Sequence, residues 1–148
     1  MRTLALLLIS AISLASNSAF AASYQQIGGT IIDPIQSVFG GNHPYSGNNL
    51  EPFANLAGAD LSNAYLLAAN LPDAELSNAN LTGAWIINGD LSDAHLTNAS
   101  LNNSLLSGSN LTGADLSNAN LTGAYLINAD LSDANLTNVI GLGTGPES

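Results

Sequence analysis

The chain contains no cysteine and almost no positive charge. Arg2 is the single Lys or Arg, against eleven Asp and Glu, which gives a formal net charge of −10 at pH 7. Without cysteine there is no disulfide, and lipid attachment through a thiol is excluded. We expect no nucleic-acid partner, because nucleic-acid affinity comes largely from Lys and Arg contacts to phosphate. We also expect no membrane association of the mature protein, because anionic headgroups would repel this surface.

The N-terminus lacks a hydrophobic run long enough to cross a bilayer. The apolar stretch from Leu4 to Leu14 falls short of the roughly 20 residues that a membrane helix needs. The charged Arg2 before it and the motif Ala19-Phe20-Ala21 after it are typical of a secretory signal peptide. We therefore predict a signal peptide over residues 1–22, with an uncleaved anchor as the alternative. The mature protein is expected to be secreted or periplasmic, or in the thylakoid lumen if the source is cyanobacterial.

What the chain has in abundance is a five-residue repeat. From Ala54 onward every fifth residue is aliphatic, from Leu56 to Leu136, and sixteen of these seventeen positions are Leu. A small residue lies two positions before each of them, and fourteen of these small residues are Ala. The repeating unit reads Ala-(Asn/Asp)-Leu-(Ser/Thr)-(Asn/Asp/Gly).

The spacing within the unit predicts a short strand followed by a corner. A period of five matches neither the helical period of about 3.6 nor the strand period of about 2. Ala and Leu are two residues apart and point to one side of an extended segment, while the polar residue between them points away. The last two positions have turn chemistry, because Asn, Asp and Gly tolerate the left-handed conformation. Only a coil that keeps turning one way places every Leu on a shared axis.

Units that lie 20 residues apart indicate the number of sides per coil. One such set has Tyr65, Trp85, Leu105 and Tyr125 at the outward position before the Leu, and no other set has an aromatic residue there. In the same units, the residue after the Leu position is Leu67, Ile87, Ser107 or Ile127, where other units mostly have Ser or Thr. This recurrence at every fourth unit predicts four sides per coil. The seventeen units then make about four coils.

This run of units resembles the pentapeptide-repeat family. The resemblance is carried by units such as Ala79-Asn80-Leu81-Thr82-Gly83 and Ala129-Asp130-Leu131-Ser132-Asp133, and it covers about two thirds of the mature chain. It implies an all-β fold, a right-handed quadrilateral β-helix with the Leu and Ala positions inside. The handedness rests on the resemblance alone. We expect this solenoid over residues 54–139.

The N-terminal end of a solenoid needs protection, because it exposes unpaired backbone and an open core. Residues 23–53 are predicted to form this cap, with Phe53 packing on the first coil, and a flexible linker is the alternative. Asp33-Pro34 resembles a helix start and Gly40 a helix end, so a short helix is a candidate within the cap.

The C-terminal end carries fewer residues that would protect it. Gly141 falls where the next Leu of the repeat should be, and residues 140–148 are predicted to be a tail. Either Ile140 and Leu142 fold over the last coil, or that end is available for pairing with another molecule.

The strongest candidate site is a set of outward apolar residues on one side of the predicted stack. We define the apolar column as Tyr65, Leu67, Trp85, Ile87, Leu105, Tyr125 and Ile127. Contiguous exposed apolar patches often mark contact surfaces, so a protein partner or a homodimer is the expected occupant. The open alternatives are cross-strand pairs that stabilise the ladder, and a shelf covered by residues 24–53.

A neighbouring corner is acidic. Asp73, Asp93 and Asp133 share one corner column, which Gly113 interrupts. Stacked like charges are destabilising, and weak Ca²⁺ or Mg²⁺ binding at this edge would compensate for them. A solvated acidic corner is the favoured interpretation, and we predict no metal site and no cofactor.

The repeat offers no catalytic constellation. His43 lies in a predicted loop and His95 in an outward position, there is no Cys nucleophile, and no insertion between units would build a pocket. We therefore predict a secreted, non-enzymatic structural or protein-interaction module that binds a partner or itself through the apolar column. The resemblance supplies the alternative of an acidic DNA mimic that inhibits gyrase, which the signal peptide disfavours. Binding of ice or a polysaccharide is a third hypothesis, against which the mixed outward Ser/Thr columns argue.

Overall fold

A stack of parallel bridges forms the body of the molecule. The structure is a computed structural model that describes residues 24–26, 31–32, 36–41, 44–45 and 49–142. In the repeat, the outward residue of each unit bridges in parallel to the outward residue 20 positions later, from Asn55 with Glu75 to Asn120 with Ile140. Since the unit has five residues, four units complete each turn of the coil.

In the units before the last coil, three of the five backbone N–H groups hold neighbouring coils together. The inward Leu donates to the next coil, as Leu76 does to the carbonyl of His95 at 2.8 Å. The outward residue donates back to the preceding coil, as His95 does to the carbonyl of Ala74 at 2.9 Å. The corner residue again donates forward, as Asn78 does to the carbonyl of Thr97 at 2.9 Å. The coils are thus linked continuously although no strand in the repeat exceeds two residues.

The other two N–H groups are bonded within the corner. The small residue closes a turn, since Ala79 donates to the carbonyl of Leu76 at 3.0 Å. The residue after the Leu donates to the side chain of the outward residue two positions earlier. Ten units make this second bond, with the acceptors Asn55, Asp60, Glu75, Asn80, Asp90, Asn110, Asp115, Asn120, Asp130 and Asn135. Asn or Asp precedes the Leu because its side-chain oxygen accepts a hydrogen bond from a backbone N–H that has no acceptor in the ladder.

The corners require the left-handed backbone region. Thirteen described residues other than Gly have positive φ, and all of them are Asn or Asp except Phe53 and Ala68. Asn and Asp adopt this region at lower cost than other side chains. At Gly113 a Cβ would also overlap Oδ1 of Asp93 in the preceding coil. The last position of the unit is therefore selected by backbone conformation and by the neighbouring coil together.

The core is a single column of inward side chains. The Leu positions from Leu56 to Leu121, including Ile86, are 0–1% exposed. Two buried serines replace Ala and keep their hydroxyls bonded, since Ser104 Oγ donates to Leu101 O at 2.8 Å and Ser109 Oγ donates to Ile86 O at 2.6 Å. No buried hydroxyl in the described core is therefore left without a partner.

Gly89 is explained by Ile86, the one β-branched residue among the Leu positions. A Cβ on Gly89 would lie 2.7 Å from Cγ2 of Ile86. The branch of Ile86 thus takes the space that the Ala methyl occupies in most other units. The two exceptions to the repeat consensus compensate each other in volume.

The N-terminal segment pairs with the edge of the first coil. The elements assigned as strands have two residues each and are β1 (Tyr24–Gln25), β2 (Ile31–Ile32), β3 (Gln36–Ser37) and β4 (Ala64–Tyr65). β1 pairs antiparallel with β2, and β3 pairs antiparallel with β4 of the solenoid. Gln26 forms an antiparallel bridge with Ala69 and donates its Nε2 to the carbonyl of Leu67 at 2.9 Å. The N-terminal edge of the solenoid at the apolar column is therefore paired with this segment.

The short helix suggested for this segment is wrong in its described part. Asp33 and Pro34 lie outside the described residues, but Gln36–Ser37 is a strand and Val38 begins a turn. The strand forms because the coil edge supplies backbone partners, such as the carbonyl of Asn63 for Val38 N–H at 2.9 Å. An isolated short helix would have no such partners and is marginal in water.

Phe53 does not pack on the first coil. It is 73% exposed and lies in a corner with φ 61°. Its N–H donates to the carbonyl of Pro72 at 3.0 Å, as a corner residue does. The repeat register thus extends back to Phe53 and places it in the corner column of Asp73, where the side chain points away from the core.

In the described part of the chain, the C-terminal end of the core is only partly covered. Leu126, Leu131 and Leu136 are only partly buried, unlike the Leu positions of earlier coils. Within residues 49–142, the N–H groups of these three residues have no acceptor. Among the described residues, the last coil therefore has no partner for its backbone edge, and its core positions are partly exposed.

The chain leaves the coil at Gly141. Its φ is +83°, and a Cβ there would overlap backbone atoms of Thr122. Ile140 and Leu142 are 58% and 46% exposed, so they do not fold inward over the last coil. Residues 143–148 of the predicted tail lie outside the described residues.

Candidate partner-binding face

The structure brings the apolar column together on one side of the solenoid. Tyr65, Trp85, Leu105 and Tyr125 are linked by successive parallel bridges. The ring centroids of Tyr65 and Trp85 are 5.8 Å apart, with an interplanar angle of 48°. This separation lies in the favourable range for aromatic pairs, so the pair also contributes to the stability of the ladder.

Exposure within the apolar column increases toward the C-terminal end. Tyr65 belongs to β4 and is half-buried beside β3, whereas Trp85 is 37% exposed. Tyr125 and Ile127 are 56% and 65% exposed. The accessible part of the column therefore runs from Trp85 to Ile127.

The side that carries the apolar column lacks the corner hydrogen bond found on the other sides. Its outward residues are aromatic or aliphatic and cannot accept the N–H of the residue after the Leu position. Among the described residues, the N–H groups with no acceptor for this reason are those of Leu67, Ile87, Ser107 and Ile127. Elsewhere between residues 55 and 137 the bond is missing only after Asn70, His95 and Ser100, and in the first case because Pro72 has no N–H.

This column of unpaired donors is a feature that sequence reasoning missed. Its signal was present, because positions 65, 85, 105 and 125 contain no Asn or Asp. Each intramolecular hydrogen bond contributes about 0.5–1.5 kcal/mol to stability. The apolar side thus lacks stabilisation that the other sides have, and presents apolar surface with free N–H groups instead.

The next side around the solenoid is acidic. We define the acidic face as Asn70, Asp90, Asn110 and Asp130 with the corner residues Asp73, Asp93 and Asp133. Its outward residues form an amide–carboxylate contact, since Asn110 Nδ2 donates to Asp90 Oδ1 at 3.1 Å. In the described part of the chain no group of three or more His, Asp or Glu is arranged to hold a metal ion. Among the described residues, no further ligand therefore converges with Asp73, Asp93 and Asp133, the corner considered as a weak cation site.

Three further titratable groups, Glu75, His95 and Asp115, lie in one column of the ladder. His95 lies between Glu75 and Asp115 in the bridge order, and His43 lies outside the described residues. Ser77 N–H donates to Glu75 Oε1 at 3.0 Å, and Thr97 Oγ1 donates to Asp115 Oδ2 at 3.2 Å. These carboxylates act as structural hydrogen-bond acceptors.

Stability is expected to fall in acid. Hydrogen bonds from Ser77 and Ser117 lower the pKa of Glu75 and of Asp115, and bonds from Ser132 lower the pKa of Asp130. A carboxyl group with a lowered pKa adds stability above its unfolded pKa of about 4, and this is lost as the pH falls through the folded pKa. The thermal midpoint followed by circular dichroism should be constant from about pH 7 to 5 and drop below about pH 4. The drop should be modest because solvent screens these exposed groups.

The control for this pH dependence is the double variant Asp115→Asn/Asp130→Asn. Asn keeps a side-chain oxygen that accepts the corner N–H, as Asn110 does from Thr112 at 3.1 Å. The variant should lose less of its midpoint on acidification than the original chain. A midpoint that rises below pH 4 would show that relief of net charge outweighs these bonds.

Comparison with known proteins agrees with this architecture. The family model for pentapeptide repeats, in eight copies, matches residues 53–88, 90–126 and 104–140. The chain belongs to the pentapeptide-repeat family. The family's solved structures imply that the β-helix is right-handed, which the bridges alone do not decide. No curated protein gives a significant match.

Several solved pentapeptide-repeat structures are similar to this chain. A pentapeptide repeat protein from the cyanobacterium Cyanothece 51142 is 31% identical with a TM-score of 0.50, and the match covers 64% of this chain and 66% of that one. A protein from the Arabidopsis thaliana thylakoid lumen is 35% identical with a TM-score of 0.33, and the match covers 60% of this chain and 58% of that one. The fluoroquinolone resistance protein QnrB1 is 19% identical with a TM-score of 0.31, and the match covers 60% of each chain.

The matches cover less than two thirds of the relatives' own chains. Among the described residues, no helix is long and apolar enough to cross a membrane. Pentapeptide-repeat proteins are in general non-enzymatic structural repeat proteins.

Proposed function

We propose that this chain is an exported, non-enzymatic interaction module that binds a protein partner through the apolar column. The observation that supports this function is the exposure of Trp85, Tyr125 and Ile127, at 37%, 56% and 65%, on one side of a regular solenoid. Aromatic residues are enriched at protein interfaces and often supply most of the binding energy. Export is supported by the signal-peptide pattern over residues 1–22.

The scaffold favours binding because the face is already ordered. The backbone of Trp85 is bonded to the preceding coil, through Ala64 O at 2.9 Å and through the N–H of Leu66 at 2.8 Å, and the adjacent Ile86 N–H donates to Leu105 O of the next coil at 2.8 Å. A partner therefore has no loop to order when it binds, and this lowers the entropic cost of association. The outward residues of the acidic face are Asn and Asp and offer no comparable apolar surface.

The experiment that tests this function is affinity capture with the immobilised chain. Trp85→Glu is expected to abolish capture of partners from an extract of the source organism, because a charged residue at the centre of an apolar interface is strongly unfavourable. The matched control is Ser100→Glu, which places the same charge at an outward position on another side, between Asn80 and Asn120. The proposal fails if the two variants and the original chain retain the same proteins.

No observation in the structure supports the alternative of an acidic DNA mimic. The likeness to QnrB1, at 19% identity and a TM-score of 0.31, carries no functional argument. The net charge of −10 is compatible with mimicry but is spread over several sides of the solenoid. The apolar column favours a protein partner over both this alternative and ice binding.

A further inference from the structure

We propose that the segment bound by the apolar column is a proline-rich peptide in the polyproline II conformation, laid along the solenoid axis. This inference rests on the proposed function of the column as a protein-binding face. It names the chemistry of the partner, and it follows from the hydrogen-bonding groups that the column leaves unpaired.

The exposed part of the column is rich in donors. One backbone N–H per coil lacks an acceptor among the described residues, at Ile87, Ser107 and Ile127. The indole N–H of Trp85 and the hydroxyl of Tyr125 also have no partner in that part of the chain. A partner that covered these groups with apolar atoms alone would lose about 1–3 kcal/mol for each donor it buried. The occupant must therefore combine apolar surface with acceptor oxygens.

A second copy of the chain does not meet this requirement. The column of a second copy presents the same unpaired N–H groups, and the carbonyls beside them are already used in the ladder, as Leu105 O is by Ile86 N–H at 2.8 Å. Face-to-face self-association would bring donors against donors. The net charge of −10 on each copy adds repulsion.

Polyproline II supplies the missing chemistry. It has no internal hydrogen bonds, so every backbone carbonyl is free to accept. Proline has no N–H, and its ring presents a compact apolar surface. Proline-rich segments bind aromatic surfaces with little loss of conformational entropy because they are already extended.

The repeat lengths of the two structures also match. A polyproline II helix has three residues per turn and rises about 3.1 Å per residue, which gives about 9.3 Å per turn. Two coils of the solenoid rise about 9.6 Å, at the usual strand spacing of about 4.8 Å. The exposed aromatic residues Trp85 and Tyr125 are two coils apart, with the half-buried Leu105 between them. Prolines three positions apart would thus stack on Trp85 and Tyr125.

Other peptide conformations match less well. A β-strand laid along the axis repeats its side-chain direction every two residues, or about 6.7 Å, and would drift out of register with the coils. An α-helix uses its carbonyls internally and leaves few acceptors for the N–H groups of the column.

The test is a titration of the full chain with blocked decaproline, followed by the fluorescence of Trp85, the only tryptophan of the chain. A (Gly-Ser)₅ peptide of equal length is the control probe. Decaproline is expected to bind at least about tenfold more tightly than the control and to change the emission of Trp85. Equal affinity for both peptides, or no binding of decaproline at millimolar concentration, overturns the inference.

A matched pair of variants tests the role of the unpaired N–H groups. Tyr125→Asn introduces the side-chain acceptor that Ile127 N–H lacks, whereas Tyr125→Ala removes the same aromatic side chain without adding an acceptor. Tyr125→Asn is expected to bind decaproline about tenfold more weakly than Tyr125→Ala while its thermal midpoint is at least as high. Equal affinities of the two variants would show that these donors do not take part.

The outcomes separate this inference from the proposed function. Trp85-dependent capture of a partner together with no binding of decaproline refutes the proline-rich occupant alone. If the chain neither captures a partner through Trp85 nor binds decaproline, the protein-binding role of the column is refuted. Binding of decaproline, followed by isothermal titration calorimetry, that Trp85→Ala leaves unchanged places the peptide elsewhere and refutes the inference.

Discussion

Leu96→Asp is expected to unfold the solenoid at room temperature. Leu96 is 0% exposed, in the middle of the stack. The substitution removes about 2 kcal/mol of transfer free energy and buries a carboxylate that has no partner, which costs several kcal/mol more. Their sum is comparable to the whole stability of a typical domain, about 5–15 kcal/mol. Circular dichroism should lose the β signal, and limited proteolysis should cleave within the repeat.

Leu136→Asp is the matched control for this experiment. Leu136 occupies the same position of the unit in the last coil but is only partly buried, so the carboxylate can stay hydrated. Each coil of a solenoid contacts only its neighbours, so a terminal lesion disturbs little of the stack. The control should retain its β signal and most of its thermal stability. An unchanged midpoint for Leu96→Asp would refute the inward placement of the Leu positions.

Gly89→Ala is expected to destabilise the fold by about 1–3 kcal/mol through overpacking. The φ of Gly89 lies outside the left-handed region, so Ala suffers no backbone strain there. By reducing the freedom of the unfolded chain, Ala would by itself add about 0.4–1 kcal/mol of stability. The contact of 2.7 Å between the new Cβ and Ile86 Cγ2 reverses that sign. Chemical denaturation monitored by Trp85 fluorescence measures the change.

Ile86→Leu is expected to rescue Gly89→Ala. The double variant restores the Leu and Ala pair that most other units have, and its stability should return close to that of the original chain. Ile86→Leu alone should cost less than about 1.5 kcal/mol because it preserves volume. The double-mutant cycle should therefore show a coupling of at least about 1–3 kcal/mol, the full cost of Gly89→Ala alone. Additive effects of the two substitutions would mean that the fit between residues 86 and 89 is not the reason for the glycine.

Most of the apolar column was predictable from the sequence. Positions 20 residues apart in the chain lie one above the other, so Tyr65, Trp85, Leu105 and Tyr125 could be assigned to one side. Their different accessibilities could not be predicted. Tyr65 is half-buried because β3 pairs with β4, and this pairing joins segments that no periodic pattern relates.

The unpaired donors of the column could be recognised only after every backbone N–H of a coil had been assigned to its acceptor. Asn and Asp at the outward position can be interpreted from sequence as simple solvent-facing polar residues. Only the coil geometry shows that the N–H two residues later faces no ladder partner and needs their side chains, as Thr112 N–H needs Asn110. The absence of Asn and Asp from the side of the apolar column then indicates that a binding partner must supply hydrogen-bond acceptors.

By itself, the sequence determined the register, the inward Leu and Ala positions, the left-handed corners and the four sides of the coil. Each of these features follows from contacts that recur in every unit, so a unit that departs from the consensus does not change the assignment made from the others. The tertiary structure alone decided the ends. There the repeat stops, and competition for backbone partners makes residues 36–37 a strand on the first coil and leaves Phe53 exposed. The last coil finds no backbone partner for its outer edge within residues 49–142.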